Sequence, residues 1–517
     1  MIKFKKLFRF AQDNGRICAV SNEGELSYRE LYQNIRVFAE KIFEPCKNNS
    51  CVILIGDKEN KYIAGIFAAL MTGHPYVAVS SSYPLERILD IKEICSPFAV
   101  LDFSGKFDMS VFQNGYSQSQ LMNMTESEID DSAVDSNEEQ SIYDWQENET
   151  AAWFFTSGST GKPKGVAITY GNLCCMLRKR EYTNSLFFDY SKNEQPVVLN
   201  FVSYSFIASV PTIFGDICDK GALLYAVERN RISNFGALMD YMREISPTHF
   251  TATPAFLDVC LRNDSFCKEN FPRLQVIYSG GGVVNMELVR RFREKFDCEL
   301  VNVYGLTEAT STVLISRASQ VDLSLQGFMP SGVPLPETEV SIMDETGNPV
   351  PEGATGELYI VSKSICNGYC NADNSAFFTN EAGIRGYRTG DYFKRIDGNL
   401  YYMGRKDNMV KVGNNRIEIF DIEEKLIQNE MVRTGIVVPC VDKGEAKFLA
   451  ACIVLKPEFQ GGITTTLKLK RFLKDRIQHY AVPQKFVYFE NIPTTVSNKP
   501  DRKKLEIMIS ETVYADD

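Results

Sequence analysis

The sequence predicts a large N-terminal α/β part, built of layered sheets and helices, followed by a small C-terminal domain. Three observations carry this. The 517 residues exceed the length over which one hydrophobic core keeps growing, so at least two domains are expected. From about residue 15 to 365 short apolar runs alternate with amphipathic stretches, the pattern of stacked α/β layers. After Gly404 the texture changes to short β/α pieces, a charged loop and a Lys-rich tail.

In chain order, residues 52–55, 76–80, 98–102, 197–200 and 275–278 are apolar runs of strand length. The apolar run 62–71 is too short to cross a bilayer and reads as a helix packed on a sheet. Residues 123–150 carry Asp and Glu with no Lys or Arg, and read as a solvated linker or flexible insertion. Residues 416–429 read as a strand followed by a helix.

Composition narrows the function classes. A net charge of -10 without a basic stripe argues against nucleic acid as a partner. The N-terminus begins with lysines, but Arg9, Gln12, Asp13 and Arg16 interrupt any apolar segment, so neither secretion nor a membrane span is expected. Fourteen cysteines lie scattered without a CxxC pair, which fits a reduced cytoplasmic location. Three histidines, His74, His249 and His479, supply a zinc site or a Ser/His/Asp triad poorly. All three read as structural, with His249 the first candidate for another role.

The strongest local signal is Thr156-Ser-Gly-Ser-Thr-Gly-Lys-Pro-Lys164, which follows an apolar strand. Glycines let backbone N–H groups approach phosphate oxygens, hydroxyls add donors, and Lys162 and Lys164 add charge, as a nucleoside triphosphate requires. It is not a Walker loop: Thr156 stands where the first Gly belongs and Pro163 where Ser or Thr belongs. Thr156, Ser157, Gly158, Ser159, Thr160, Gly161, Lys162 and Lys164 resemble the phosphate loop of the adenylate-forming superfamily of acyl-CoA synthetases, peptide-synthetase adenylation domains and luciferases.

Further motifs occur in that family's order, so the resemblance covers nearly the whole chain. Leu26-Ser-Tyr-Arg-Glu-Leu31 and residues 62–87 resemble two architectural motifs. Asn302-Val-Tyr-Gly-Leu-Thr-Glu-Ala-Thr310 resembles the motif in which, by resemblance, Tyr304 stacks on adenine, Thr307 contacts phosphate and Glu308 holds Mg²⁺. Tyr387-Arg-Thr-Gly-Asp391 resembles the motif whose aspartate accepts the ribose hydroxyls. The stretch from Gly404 to Glu418 resembles the hinge motif: Arg405 approaches ribose and phosphates, and Asp407 is the swivel. Thr495-Val-Ser-Asn-Lys-Pro-Asp-Arg502 places Lys499 at the catalytic lysine, with Asn498 and Pro500 departing from the usual pattern. The resemblance implies ATP and Mg²⁺ as cofactors. It also implies a fold with an N-terminal core of layered α/β subdomains plus a small β-barrel (1–404), a hinge (405–407) and a mobile α+β C-terminal domain (408–517).

Residues 249–261, 353–368 and the hinge motif most resemble D-alanine–carrier protein ligases and adenylation domains, which implies a separate acyl or peptidyl carrier protein as thiol partner. Gly413 is the candidate for close approach of the thiol arm. Amino-acid-activating members carry an Asp for the substrate ammonium, and the alignment places Ile207, beside Phe206, at that position. A buried ammonium without a counter-charge is costly. With Ser279, Gly280, Gly281 and Gly282 as a small-residue wall, the pocket is expected to take a small carboxylic acid lacking an α-amino group, with an aromatic acid such as a hydroxybenzoate preferred. The alternatives are D-alanine or another amino acid, with Asp216 or Asp219 meeting the amine; an acyl or aryl acid passed to CoA; and a degenerate adenylate-binding protein without turnover.

Overall fold

The computed structural model describes residues 4–13, 15–43, 50–127, 142–157, 163–188, 194–227, 234–406, 409–412, 415–442, 445–477, 481–495 and 499–514. Four sheets organise them.

The first sheet has nine strands, in the order Val333–Pro334, Ser311–Arg317, Glu299–Leu306, Val276–Gly280, His249–Ala252, Val197–Asn200, Leu223–Ala226, Ile17–Ser21 and Gly24–Ser27. From Glu299–Leu306 to Ile17–Ser21 the pairings are parallel, and the edges are antiparallel. The second sheet runs Gly115–Tyr116, Ala99–Asp102, Val52–Gly56, Tyr76–Ser80, Thr150–Ser157 and Pro163–Thr169, parallel except for its last pair. Strands Val52–Gly56 and Tyr76–Ser80 are buried throughout, which is why they read as unbroken apolar runs.

Helix Asn60–Met71 buries all its residues but Lys61, and its core cluster includes Leu54 and Ala78 of one sheet and Ala19 and Leu224 of the other. A helix apolar on all sides is what a position between layers demands. Helix Tyr28–Lys41 starts at a capping box: Glu30 N–H donates to Ser27 Oγ at 3.1 Å and Ser27 N–H to Glu30 Oε2 at 2.7 Å. The Ser and Glu of the first architectural motif therefore do helix-capping work.

The third sheet is antiparallel: Thr338–Met343, Thr355–Ser362, Arg385–Ile396 and Phe377–Thr379, with Asn399–Arg405 also on Arg385–Ile396. It occupies the place of the expected small barrel, and its pairings run as an open path. Between Arg405 and Met409 the chain leaves this sheet for the fourth: Asn415–Glu418, Met409–Val412, Glu445–Leu455 and Val432–Asp442, with Lys485–Tyr488 on Glu445–Leu455. Helices Ile419–Ile427 and Ile463–Lys474 cover one face of the fourth sheet, and Leu505 and Ile509 of helix Arg502–Tyr514 cover the other.

The reading of residues 123–150 needs correction at its C-terminal end. Trp145 is buried, donates from Nε1 to Leu70 O at 2.8 Å and stacks on Tyr170 with ring centroids 6.0 Å apart. The acidic residues around it hid one large aromatic anchor. Residues 128–141 lie outside the described residues. No described helix is long and apolar enough to cross a membrane.

Candidate functional site

The Ser/Gly/Thr loop joins two strands whose antiparallel register ends at Ser157 opposite Pro163. Gly158, Ser159, Thr160, Gly161 and Lys162 lie outside the described residues. Thr156 faces the large cavity described below, and Lys164, second in the return strand Pro163–Thr169, places Nζ 5.6 Å from the ring centre of Tyr369.

The Tyr304-to-Glu308 segment ends strand Glu299–Leu306 and turns into a short 3-10 helix, Thr307–Ala309, before the antiparallel return. A Cβ on Gly305 would come within 2.0 Å of Ser311 O, so only glycine lets the two strands approach here. Thr307 faces the cavity. Tyr304 donates its hydroxyl to Asp391 Oδ2 at 2.6 Å, and Arg405 Nη1 lies 3.3 Å from Asp391 Oδ1. Opposed register explains the latter contact, because Asp391 and Arg405 face each other across adjacent strands. Burial raises the Asp391 pKa, opposed by the Arg405 guanidinium and the Tyr304 hydroxyl. Glu308 accepts from the Tyr369 hydroxyl at 2.6 Å.

Lys499 reaches the same place from the other domain. Its loop closes through Thr495 N–H to Lys499 O at 2.7 Å and Asp501 N–H to Pro493 O at 2.8 Å. These donors flank Pro500, so a residue without an N–H is tolerated there. Arg502 anchors the loop: Nη2 donates to Glu423 Oε2 at 2.7 Å and Nη1 to Val437 O at 2.9 Å. Lys499 faces the cavity, and its Cε would lie 3.5 Å from a Cβ on Gly281. Although its side chain keeps contact with solvent, desolvation in the cleft lowers its pKa, while Asp391 pulls the other way. Asp407, Gly413, Asn498 and His479 lie outside the described residues.

The cavity has a volume of about 1430 Å³. Phe206 and Ile207, Gly280 and Gly281, Thr307 and Lys499 all face it. Two expected wall residues are not on it. Ser279 is buried and does not face the cavity, whereas its strand neighbour Tyr278 does, as alternation along a strand requires. Gly282 is displaced toward Pro254, whose Cδ would lie 3.5 Å from an added Cβ. Behind Ile207 the chain forms a π-helix, Pro211–Asp219, whose first two residues also face the cavity.

Asp216 and Asp219 are not available to an amine. Arg180 Nη2 lies 3.0 Å from both oxygens of Asp216, and His249 Nε2 lies 3.3 Å from Oδ2. Asp219 is 2.8 Å from Lys6 and 3.2 Å from Lys220. Burial, acting to raise the Asp216 pKa, is outweighed by Arg180 and His249, and the carboxyl stays ionised. His249 is buried, does not face the cavity and braces Asp216, and burial lowers its pKa.

Sequence reasoning missed Arg180 and Asp57. Arg180 faces the cavity with its guanidinium carbon 4.5 Å from the Tyr278 ring centre. Asp57, also on the wall, accepts from Ser80 and Ser203 at Oδ1, 2.8 and 2.5 Å, and from Ser81 at Oδ2, 3.1 Å. Neither belongs to a motif; each is one charged residue on an element otherwise read as scaffold.

Among the described residues no group of three His, Cys, Asp or Glu could hold a metal ion. Glu308, half-buried beside Thr307, offers one hard carboxylate. That suits Mg²⁺, which takes one or two protein carboxylates and completes its shell with phosphate and water oxygens.

The AMP-binding enzyme family matches residues 7–370. A D-alanine–D-alanyl carrier protein ligase of Bacillus licheniformis is 30% identical over 506 residues, covering 96% of this chain and 97% of that protein. The ligase of the same name from Streptococcus equi subsp. equi is 31% identical over 468 residues, 88% of each chain. In solved structures, the o-succinylbenzoate CoA synthetase of Bacillus subtilis with its acyl-adenylate intermediate superposes with a TM-score of 0.76 at 21% identity, over 97% of this chain and 98% of that one.

Proposed function

The chain belongs to the AMP-binding enzyme family and is an adenylate-forming acid–thiol ligase, and we propose that it activates a carboxylic acid without an α-amino group, preferably an aromatic acid, for transfer to a separate carrier protein. One observation carries the substrate reading: Ile207, not a carboxylate, lies beside Phe206 on the wall of the cavity that Gly280 and Gly281 also line. The carrier rests on the D-alanyl carrier protein ligases, matched over nearly their whole length.

The substrate acid is already ionised at neutral pH, so no general base is needed. The task is to hold the acid in line with the α-phosphate and neutralise charge. Lys499, anchored through Arg502, supplies the ammonium between the two anions, and Thr156 and Thr307 supply hydroxyls on the phosphate side. By the family resemblance Tyr304 would stack on adenine, and Asp391 would exchange its Tyr304 and Arg405 contacts for ribose hydroxyls. Mg²⁺ held at Glu308 would supply charge neutralisation on the departing pyrophosphate. Rotation of the C-terminal domain near Asp407 would then withdraw Lys499 and admit the thiol.

A second reading has two observations in its favour: the relatives that suggest a carrier are themselves D-alanine ligases, and a carboxylate lies on the cavity wall. Asp57 lies on the same cavity and could meet a substrate ammonium, as an amino acid such as D-alanine would need. Acid-dependent exchange of labelled pyrophosphate into ATP, over benzoate, hydroxybenzoates, short fatty acids, D-alanine and other amino acids, separates the two. Exchange with an aromatic acid and not with alanine supports the first. Exchange with D-alanine that is lost in Asp57→Asn replaces it with the second.

A further inference from the structure

Tyr369 belongs to none of the recognised motifs, yet its side chain meets three of them, two through the hydroxyl and one through the ring. It lies 2.6 Å from Glu308 Oε1 and 2.9 Å from the Tyr387 hydroxyl, and its ring lies beneath Lys164 at the exit of the phosphate loop. The backbone holds it there. Val166 and Tyr369 form a β-bridge, Cys370 N–H donates to Gly165 O at 2.9 Å, and Cys366 N–H donates to Glu308 O at 2.8 Å. The segment thus fastens the phosphate-loop strand to the Glu308 turn.

Counting hydrogens gives the chain a direction. A phenol has one proton to donate, and a carboxylate, the form that binds a cation, can only accept. Tyr369 therefore donates to Glu308, and Tyr387 donates to Tyr369. With Oε1 held, no bond among the described residues takes Oε2 of Glu308, which is left to face a cation.

We infer that Tyr369 is a positioning residue for metal binding: through a 2.6 Å hydrogen bond it orients the Glu308 carboxylate so that one oxygen is presented to the Mg²⁺ of the nucleotide. This rests on the ATP-dependent reading of the site. A carboxylate that must select its own rotamer loses affinity for a geometrically demanding ion.

Tyr369→Phe keeps the ring against Phe377, 5.4 Å away, and under Lys164 while removing only the hydroxyl. Binding of Mn²⁺ in the presence of ATP, followed by its electron spin resonance signal without any acid, should weaken roughly tenfold, the loss of one hydrogen bond to a charged group. Half-saturating Mg²⁺ in pyrophosphate exchange should rise by the same factor, with the KM for the acid and the transfer of a supplied acyl-adenylate to thiol unchanged. Tyr387→Phe should show a smaller shift in the same direction. Mn²⁺ affinity within twofold of wild type, or equal loss in both half-reactions, overturns the inference. Wild-type protein that binds no Mn²⁺–ATP would instead overturn the ATP-dependent reading.

Discussion

Lys499→Ala removes the one ammonium that the described residues of the C-terminal domain deliver to the cavity. The structure sets the size of the effect. Lys499 is carried by a loop braced at Thr495, Asp501 and Arg502, so its charge is placed before the reaction begins. A preorganised donor aimed at developing charge contributes about 2.7–4 kcal/mol, or roughly 10²- to 10³-fold in rate. Pyrophosphate exchange should fall by at least that factor. Transfer of a supplied acyl-adenylate to the thiol, which needs no neutralisation between carboxylate and phosphate, should change little. The side chain is solvent-exposed and has no ion-pair partner within 4.0 Å among the described residues, so thermal stability should stay at the wild-type value. Equal loss of both half-reactions, or exchange reduced less than tenfold, would refute the role assigned to this residue.

Ile207→Asp places a carboxylate on the acyl wall; exchange with aromatic acids should drop at least tenfold while any activity with amino acids rises, and an unchanged panel would remove residue 207 from the pocket. Asp216→Asn removes the carboxylate that Arg180 and His249 both contact and should cost about 3–5 kcal/mol in denaturant unfolding, with wild-type stability as the refuting result. Stability should fall on acidification in two stages. His249, with its pKa lowered by burial, destabilises the fold as pH drops below its ordinary 6.5 toward the lowered value, because the unfolded chain takes up the proton first. Asp216, with its pKa depressed, adds a loss at still lower pH as the folded carboxyl protonates; a pH series of urea midpoints that stays flat below 6.5 would contradict the first stage. In catalysis, the alkaline limb of adenylation should begin below the ordinary lysine value of 10.5 and move upward in Lys499→Arg.

Most of the α/β architecture was legible because burial on both faces leaves a plain mark. Val52–Gly56, Tyr76–Ser80 and helix Asn60–Met71 sit between layers and carry uninterrupted apolar residues. Trp145 was misread because its neighbours are acidic, and one aromatic anchor does not alter the composition of a 28-residue stretch; only its contacts with Leu70 and Tyr170 show that it is core. Which strands pair in the third sheet, with Arg385–Ile396 serving three partners, was likewise invisible, since strand partners depend on register rather than on composition.

For the site, local chemistry determined the residue types: a hydroxyl and glycine loop, an acid after Tyr-Gly-Leu-Thr, an aspartate after Thr-Gly, and a lysine near the end. Each type is dictated by phosphate, metal or ribose chemistry and has to appear wherever the chain passes. Which side chains share a wall was decided only by the tertiary structure. Strand alternation turned Tyr278 toward the cavity and Ser279 away from it, and ion pairing removed Asp216 and Asp219 from use while leaving Asp57 on the wall. A hydrogen bond of 2.6 Å tied Tyr369 to Glu308, 61 residues apart in the chain. A sequence carries the chemistry of each group, but charge compensation and the direction of a side chain come from neighbours distant along the chain, and those exist only after folding.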